Sequence, residues 1–459
     1  MRVSRLEKLI GIEVYATHSP GISGAIRQCP EDFIVEETLV DGSKAEITPP
    51  TKEMQAVEAP SPVHRYLLCV MVKRNWDTFQ AVRTVAWQLG ISLQQIHIAG
   101  IKDANALTAQ HITIEGAKPE DVKKIKLKDV EIRPVRYFRN KLSAYYLLGN
   151  SFRVNVRKIT HPKTVIRQRL TEIVEEIDAH GGVPNFFGHQ RFGTTRPITH
   201  LVGEAIVKRN FRKAAMLFLA KPSPHEHPES RKAREELWRT QDFKKALKIF
   251  PKKLRYEHLM LKHLASNPDD FIGAFKQLPK KLCILFPQAY QSFLFNRILS
   301  RRILYGLSLD RAEVGDYVVR AEISGLPNTQ AYKTASQESL SEINDAIKSG
   351  RMFLAVPLAG FRQHFSEGVQ GEIEKQIFEE ENVTLKDFKI VGMPELSLKG
   401  EMRTALTPLR NFSVKEISKD EMNESKNMLT VSFTLQRGSY ATVFLREVMK
   451  PRNPLKAGF

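Results

Sequence analysis

Between about residues 64 and 160 the apolar positions switch repeatedly between two spacings. "RYLLCVMV" (65–72) is a continuous, partly β-branched apolar run, which predicts a buried strand. In "WDTFQAVRTVAWQLG" (76–90), Phe79, Val82, Ala86 and Leu89 recur at helical spacing, with Asp77 placed to cap the first turn and Gly90 to end the last. "QQIHIAG" (94–100) and "AQHITIEG" (109–116) alternate with period two. The intervening "IKDANALT" (101–108) is therefore a loop between strands, and Asp103 sits on it. "GNSFRVNVRKI" (149–159) puts Phe152, Val154 and Val156 on one face and Arg153, Asn155 and Arg157 on the other, the pattern of a half-buried strand with a basic open face. A helix, "PKTVIRQRLTEIVEEIDAH" (162–180), then stops at Gly181-Gly182 and Pro184. The following "NFFGHQRFGTTRP" (185–197) is too dense in glycine and aromatics for ordinary helix.

Beyond about residue 197 the pattern becomes mainly helical. From 208 to 262 there are 16 Lys/Arg against six acids, so these helices form a concentrated basic region, interrupted by "KPSPHEHPES". "QAYQSFLFNRILSRR" (288–302) reads as an amphipathic helix with Tyr290, Phe293, Leu294 and Ile298 as its core stripe. A Glu-richer stretch from 338 to 386 predicts solvated surface. At the end, "NMLTVSFTLQ" (427–436) reads as a strand and "SYATVFLREVMK" (439–450) as a helix with Ser439 as its candidate cap. Strand and helix alternate again here, so the pattern predicts one α+β domain, residues 1–196 plus 396–459, split by a mainly helical insertion at 197–395.

Composition adds charge to this picture. The 459 residues carry 70 Lys+Arg against 51 Asp+Glu, a net +19, which favours a polyanionic partner such as nucleic acid as well as merely solvated basic faces. Cys29, Cys69 and Cys283 are scattered, without CxxC or His/Cys ligand spacing, which argues against a zinc site or a disulfide framework and fits a reducing cytoplasm. The N-terminal "MRVSRLEKLIGIEVY" has charges where an export signal needs an apolar core, and no run approaches the length of a membrane span.

Phosphate-cradling GxxxxGK[ST], dinucleotide GxGxxG, GxSxG and HExxH motifs are all absent from the sequence, which leaves a cofactor-independent activity or none. Two stretches remain. In "AGIKDANALTAQ" (99–110), Asp103 lies beside Lys102 on a loop; a carboxylate favoured in its charged form by neighbouring cations can act as a nucleophile, and Lys-Asp is also ordinary turn chemistry. In "VPNFFGHQRFG" (183–193), aromatic faces could stack on an extruded base, the amide could read a base edge and Arg191 could hold phosphate, or the cluster could be an aromatic mini-core under a loop.

These two stretches, with "PEDFIVEE" (30–37), "LLGNSFRVNVR" (147–157), "GEMRTALT" (400–407) and "GSYATVFLRE" (438–447), occur in the order that marks the TruD family of tRNA pseudouridine synthases, and the chain resembles the archaeal and eukaryotic members. The resemblance implies a pseudouridine synthase fold, a mostly antiparallel sheet with flanking helices interrupted by a family-specific helical insertion. It implies Asp103 as the nucleophile and Arg27, where bacterial members usually have Lys, as the ion-pair partner that orients and ionises it. Phe33, Asn185, Phe187 and Tyr440 match positions that line the uridine site. The implied reaction converts a tRNA uridine, at position 13 in the D arm, to pseudouridine with no metal or redox cofactor, and the implied protein is cytoplasmic, binds tRNA, and has nothing that demands more than a monomer. A non-catalytic RNA-binding or RNA-chaperone protein on the same scaffold is the alternative.

Overall fold

The computed structural model describes residues 3–48 and 65–459. Six strands are formed before the insertion: β1 (Phe33–Leu39), β2 (Tyr66–Arg74), β3 (Ile96–Ile98), β4 (Leu107–Glu115), β5 (Val130–Phe138) and β6 (Leu147–Ile159). A two-residue strand β7 (Val183–Pro184) leads into the run of helices, within which β8 (Tyr317–Ala321), β9 (Pro327–Thr334) and β10 (Met352–Leu358) appear. The chain returns through β11 (Glu401–Thr404), β12 (Leu406–Thr407), β13 (Arg410–Lys419) and β14 (Asn427–Gln436). The result is an α+β fold around an eight-stranded sheet ordered β13-β14-β6-β1-β4-β2-β5, with β3 added alongside β4. Every pairing in that sheet is antiparallel except β1 with β4.

One face of the sheet carries the helices. Phe33 and Val35 of β1 stand beside Val154 and Phe152 of β6, which in turn stand beside Val431 and Phe433 of β14. The helices Lys163–Ala179 and Ala441–Met449 pack on this apolar surface through Ile166, Leu170, Ile173, Ile177, Val443 and Phe444. Toward the other edge, Leu67, Cys69, Met71, Ile112 and Ile114 receive Ala81, Val82, Val85 and Ala86 of the helix Thr78–Gln88. Asp77 caps that helix by accepting the Gln80 N–H at 3.0 Å, a contact worth about 1 kcal/mol. Phe79, expected in the core stripe, is instead 53% exposed, because Thr78 takes the inward place and its hydroxyl engages Lys102 of the Asp103 loop.

Other expectations meet tertiary constraints. Arg157 is buried, not on an open face: β6 bulges between its pairings Val156↔Leu429 and Ile159↔Asn427, with Lys158 at φ +60°. The bulge breaks the two-residue alternation and turns Arg157 inward between Asp32 (2.7 Å) and Asp420 (2.9 Å). Ser439 does not cap the last helix; its hydroxyl donates to Thr407 Oγ1 at 2.8 Å, and the helix starts after Tyr440. The Glu-rich stretch is only half solvated, since the helix Gly368–Glu380 buries Ile373, Glu374, Ile377 and Phe378. The span 197–395 contains ten α-helices as well as β8, β9 and β10, which join β11 in a four-stranded sheet of order β11-β10-β8-β9. That small sheet crosses the expected boundary at residue 395, because β11 pairs with β10.

Within the insertion the helix Leu285–Leu304 carries Tyr290, Leu294 and Ile298 buried as its stripe predicts, with Phe293 partly buried. Gly203 of the helix Thr199–Val207 lets the two helices approach closely: a Cβ there would meet the Phe286 carbonyl oxygen at 1.9 Å. This contact seats the helix Leu285–Leu304 beneath the 183–193 segment.

Candidate active site

Asp103 stands on the crossover from β3 to β4, as its flanking alternation predicts. The loop has almost no apolar anchor of its own and is held by polar groups beneath it. Lys73, the first charged residue after the apolar run of β2, is fully buried, and its ammonium donates to the Asp103 carbonyl (2.7 Å) and the Trp76 carbonyl (2.8 Å). Burial pushes the Lys73 ammonium down to about 8 from its usual 10.5, although nearby Asp103 and Asp77 pull it back up. The Gln110 side-chain amide donates to the Gly100 carbonyl at 3.0 Å. Fixing the backbone from below leaves the Asp103 carboxylate, 22% exposed, facing the opening.

Lys102, the cation next to Asp103 in sequence, does not pair with it. Its side chain turns beneath the sheet to Glu37, Nζ to Oε1 at 3.5 Å, where burial holds the Glu37 carboxyl above the usual range against the pull of Lys102. The partner of Asp103 is Arg27, with Nη2 3.3 Å from Oδ1. Arg27 adopts φ +58°, donates Nη1 to the Gly458 carbonyl at 2.9 Å and lies with its guanidinium carbon 4.1 Å from the Phe33 ring centroid. Phe33 is itself buried, edge-on to Phe152 at 6.1 Å, so it forms the platform under Arg27.

The 183–193 segment closes on this pair from the opposite side. Gln190 donates its side-chain amide to Asp103 Oδ1. Phe187 is fixed by Asn296 of the helix Leu285–Leu304, which accepts the Phe187 N–H at 2.8 Å and donates to its carbonyl at 3.0 Å. Asn185 donates its backbone N–H to the Ala405 carbonyl (2.8 Å) and its side-chain amide to Thr404 Oγ1 (3.0 Å). Tyr440 meets Phe187 edge-on at 6.1 Å and lies against Gly188, where a Cβ would come within 3.1 Å of its ring. Arg191 donates to Ser292 Oγ (3.1 Å) and Gln288 Oε1 (3.3 Å), and burial lowers its guanidinium below the usual range.

The seven residues expected at the site fall on two sides: Asp103 on its loop, Arg27 ahead of β1 and Phe33 on β1, and, across from them, Asn185, Phe187 and Arg191 of the closing segment with Tyr440 just ahead of the C-terminal helix. Four further residues were not singled out from sequence. Lys73 and Asn296 act only through tertiary contacts; the charge at the end of an apolar strand was the one signal for Lys73. Gln190 lies inside the aromatic stretch. Arg403 lies inside "GEMRTALT", where its guanidinium carbon sits 4.0 Å from the Phe187 centroid while it donates to the Asn185 carbonyl and side chain. Among the described residues no group of three or more His, Cys, Asp or Glu forms a metal-binding cluster, and no helix is long and apolar enough to cross a membrane.

An ion-paired aspartate on a strand-to-strand loop, enclosed by an aromatic and guanidinium-rich layer in an α+β sheet protein, defines a class of site suited to covalent chemistry on a nucleotide. Comparison with known proteins places it further. Residues 9–448 match the model of the family described as tRNA pseudouridine synthase D (TruD). A Methanosarcina barkeri protein called probable tRNA pseudouridine synthase D is 42% identical over 98% of both chains. One of the same name from Thermococcus onnurineus is 36% identical over 95% of this chain and 97% of its own. A Methanosarcina mazei crystal structure described as that of the "putative tRNA pseudouridine synthase D" superposes with a TM-score of 0.82 at 40% identity, over 98% of this chain and 99% of that one. The chain belongs to the tRNA pseudouridine synthase D family, a family of isomerases acting on tRNA.

Proposed function

We propose that this protein isomerises a single flipped-out uridine of tRNA, at position 13 in the D arm, with Asp103 as nucleophile. The observation that carries this reading is the placement of Asp103: its backbone is locked by Lys73 while its carboxylate is held between Arg27 at 3.3 Å and the Gln190 amide. Asp103 adds to the nucleotide at C6 of the base or C1′ of the ribose. The N1–C1′ bond breaks, the uracil turns within the site, C5 bonds to C1′, the C5 hydrogen leaves as a proton, and the freed N1 takes up a proton. Atoms balance without an added reactant, and Asp103 is released unchanged. Phe187 and Tyr440 offer aromatic surface to the extruded base, which helps offset the few kcal/mol that unstacking costs. The basic helices between 208 and 262 clamp the tRNA backbone through phosphate neutralisation.

The test uses transcribed tRNA labelled with tritium at uridine C5. Wild type is expected to release tritium to water, whereas Asp103→Ala releases none and still binds the tRNA. Absence of release by folded wild type across a mixed tRNA pool overturns the reading, and salt-sensitive binding without release assigns the scaffold to RNA binding alone. Mapping the product tests position 13.

A further inference from the structure

Arg403 and Arg191 converge on one aromatic ring: their guanidinium carbons lie 4.0 and 5.7 Å from the Phe187 centroid. Neither has a carboxylate within ion-pair distance among the described residues; their acceptors are neutral, Asn185 and Gly438 for Arg403 and Ser292 and Gln288 for Arg191. Arg403 and Arg191 are half-buried, whereas the buried arginines Arg157, Arg234, Arg302 and Arg446 are each paired with acids. In both Arg403 and Arg191 the bonded nitrogens are Nε and Nη2, so each keeps Nη1 unused, and neither Nη1 is buried without a partner. Burial pushes the Arg403 guanidinium down to about 10, and nearby Arg191 pushes the same way, so two positive charges are held together without compensation. Their neutral acceptors fix orientation rather than neutralise charge.

We propose that Arg403 and Arg191 form a binding site for one backbone phosphate flanking the target uridine, each donating its free Nη1–H. The inference rests on the function proposed above and adds to it the group by which the nucleotide is gripped. An anion is the occupant that fits: a uracil carbonyl would engage one N–H and bring no charge, whereas the two free oxygens of a phosphodiester accept from both guanidiniums and compensate one of the two positive charges. Because Gln190, which touches Asp103, adjoins Arg191, phosphate capture positions the nucleotide next to the carboxylate. Both arginines are thus positioning groups for substrate rather than participants in bond making.

The experiment measures binding, so it does not depend on turnover. In the Asp103→Asn background, affinity is compared for tRNA carrying a neutral 2′-deoxy methylphosphonate on the 5′ or the 3′ side of the uridine that wild type converts, with the 2′-deoxy phosphate as control. One of the two linkages is expected to weaken binding on the order of tenfold, and this penalty is expected to disappear in Asp103→Asn/Arg403→Gln. Arg403→Gln should also reduce the slope of log affinity against log salt by about one. Comparing two RNAs on one variant cancels a general folding defect, and Arg191→Gln supplies the same cycle if Arg403→Gln does not fold. The proposal is overturned if neither methylphosphonate weakens binding, or if the penalty persists undiminished in the arginine variants. If wild type converts no uridine, the functional reading fails first, a result separate from either of these.

Discussion

Lys73→Met separates the energetics of holding the fold from those of holding Asp103. The substitution keeps the apolar stem but removes the ammonium that donates to the Asp103 carbonyl at 2.7 Å and the Trp76 carbonyl at 2.8 Å. Two buried acceptors lose their donor, at about 1–3 kcal/mol each. Against this, burial holds Lys73 at about 8 instead of 10.5, a penalty for its charged form of about 3 kcal/mol that methionine does not incur. The two effects largely offset, so Lys73→Met is expected to lose only about 0–3 kcal/mol of stability at pH 7. Activity has no such offset. A loop released by even ~1 Å misplaces the carboxylate, and kcat for tritium release should fall about 100-fold, with KM for tRNA little changed because the RNA contacts lie elsewhere. Linkage supplies an independent readout. Native Lys73 sheds its proton near pH 8, whereas the unfolded chain holds it to about 10.5, so wild-type stability gains from this residue as pH rises through that window. Denaturant unfolding at pH 7.5 and 9.5 should show wild type gaining on the order of 2 kcal/mol relative to Lys73→Met. An unchanged kcat in a folded variant, or equal pH slopes for the two proteins, would refute the reasoning.

Other substitutions test neighbouring links. Arg27→Lys keeps a cation near Asp103 but gives up the Gly458 contact and the guanidinium face over Phe33, so kcat should drop about tenfold, while Arg27→Met should lose at least ten times more; equal rates for the two would show that charge is irrelevant. Gly203→Ala places a Cβ 1.9 Å from the Phe286 carbonyl oxygen, forcing the helices Thr199–Val207 and Leu285–Leu304 apart. It should cost about 1–3 kcal/mol in thermal or denaturant unfolding and, by shifting Asn296 under Phe187, lower kcat as well.

Where the local pattern was sufficient, the reason was that one strand or helix buries one face. The alternation on either side of residues 101–108 placed Asp103 on its loop, and the Asp77 cap and Gly90 stop bracketed the helix Thr78–Gln88. The same rule misled where a residue answers to something distant in sequence. Phe79 yields its inward place to Thr78 because the Asp103 loop needs that hydroxyl. Arg157 turns inward because Asp32 and Asp420, one on each side of it in sequence, converge there across a bulge. Among the strands at 317–358, β9 was hidden because it is mostly exposed and lacks an alternating apolar face.

The sequence by itself determined the family and the α+β plan, because ordered motifs and periodicities are local properties of the chain. The family resemblance named Arg27 as the partner of Asp103, and the tertiary structure supplies the reason that it, rather than Lys102, meets the carboxylate. Lys102 is adjacent in sequence yet is drawn under the sheet to Glu37, while Arg27, 76 positions away, is brought to 3.3 Å by its stacking on Phe33 and its bond to Gly458. The tertiary structure decided that Lys73 and Gln190 hold Asp103 and that Arg403 joins Arg191 without an acid. Such pairings depend on which buried charges find a partner in three dimensions.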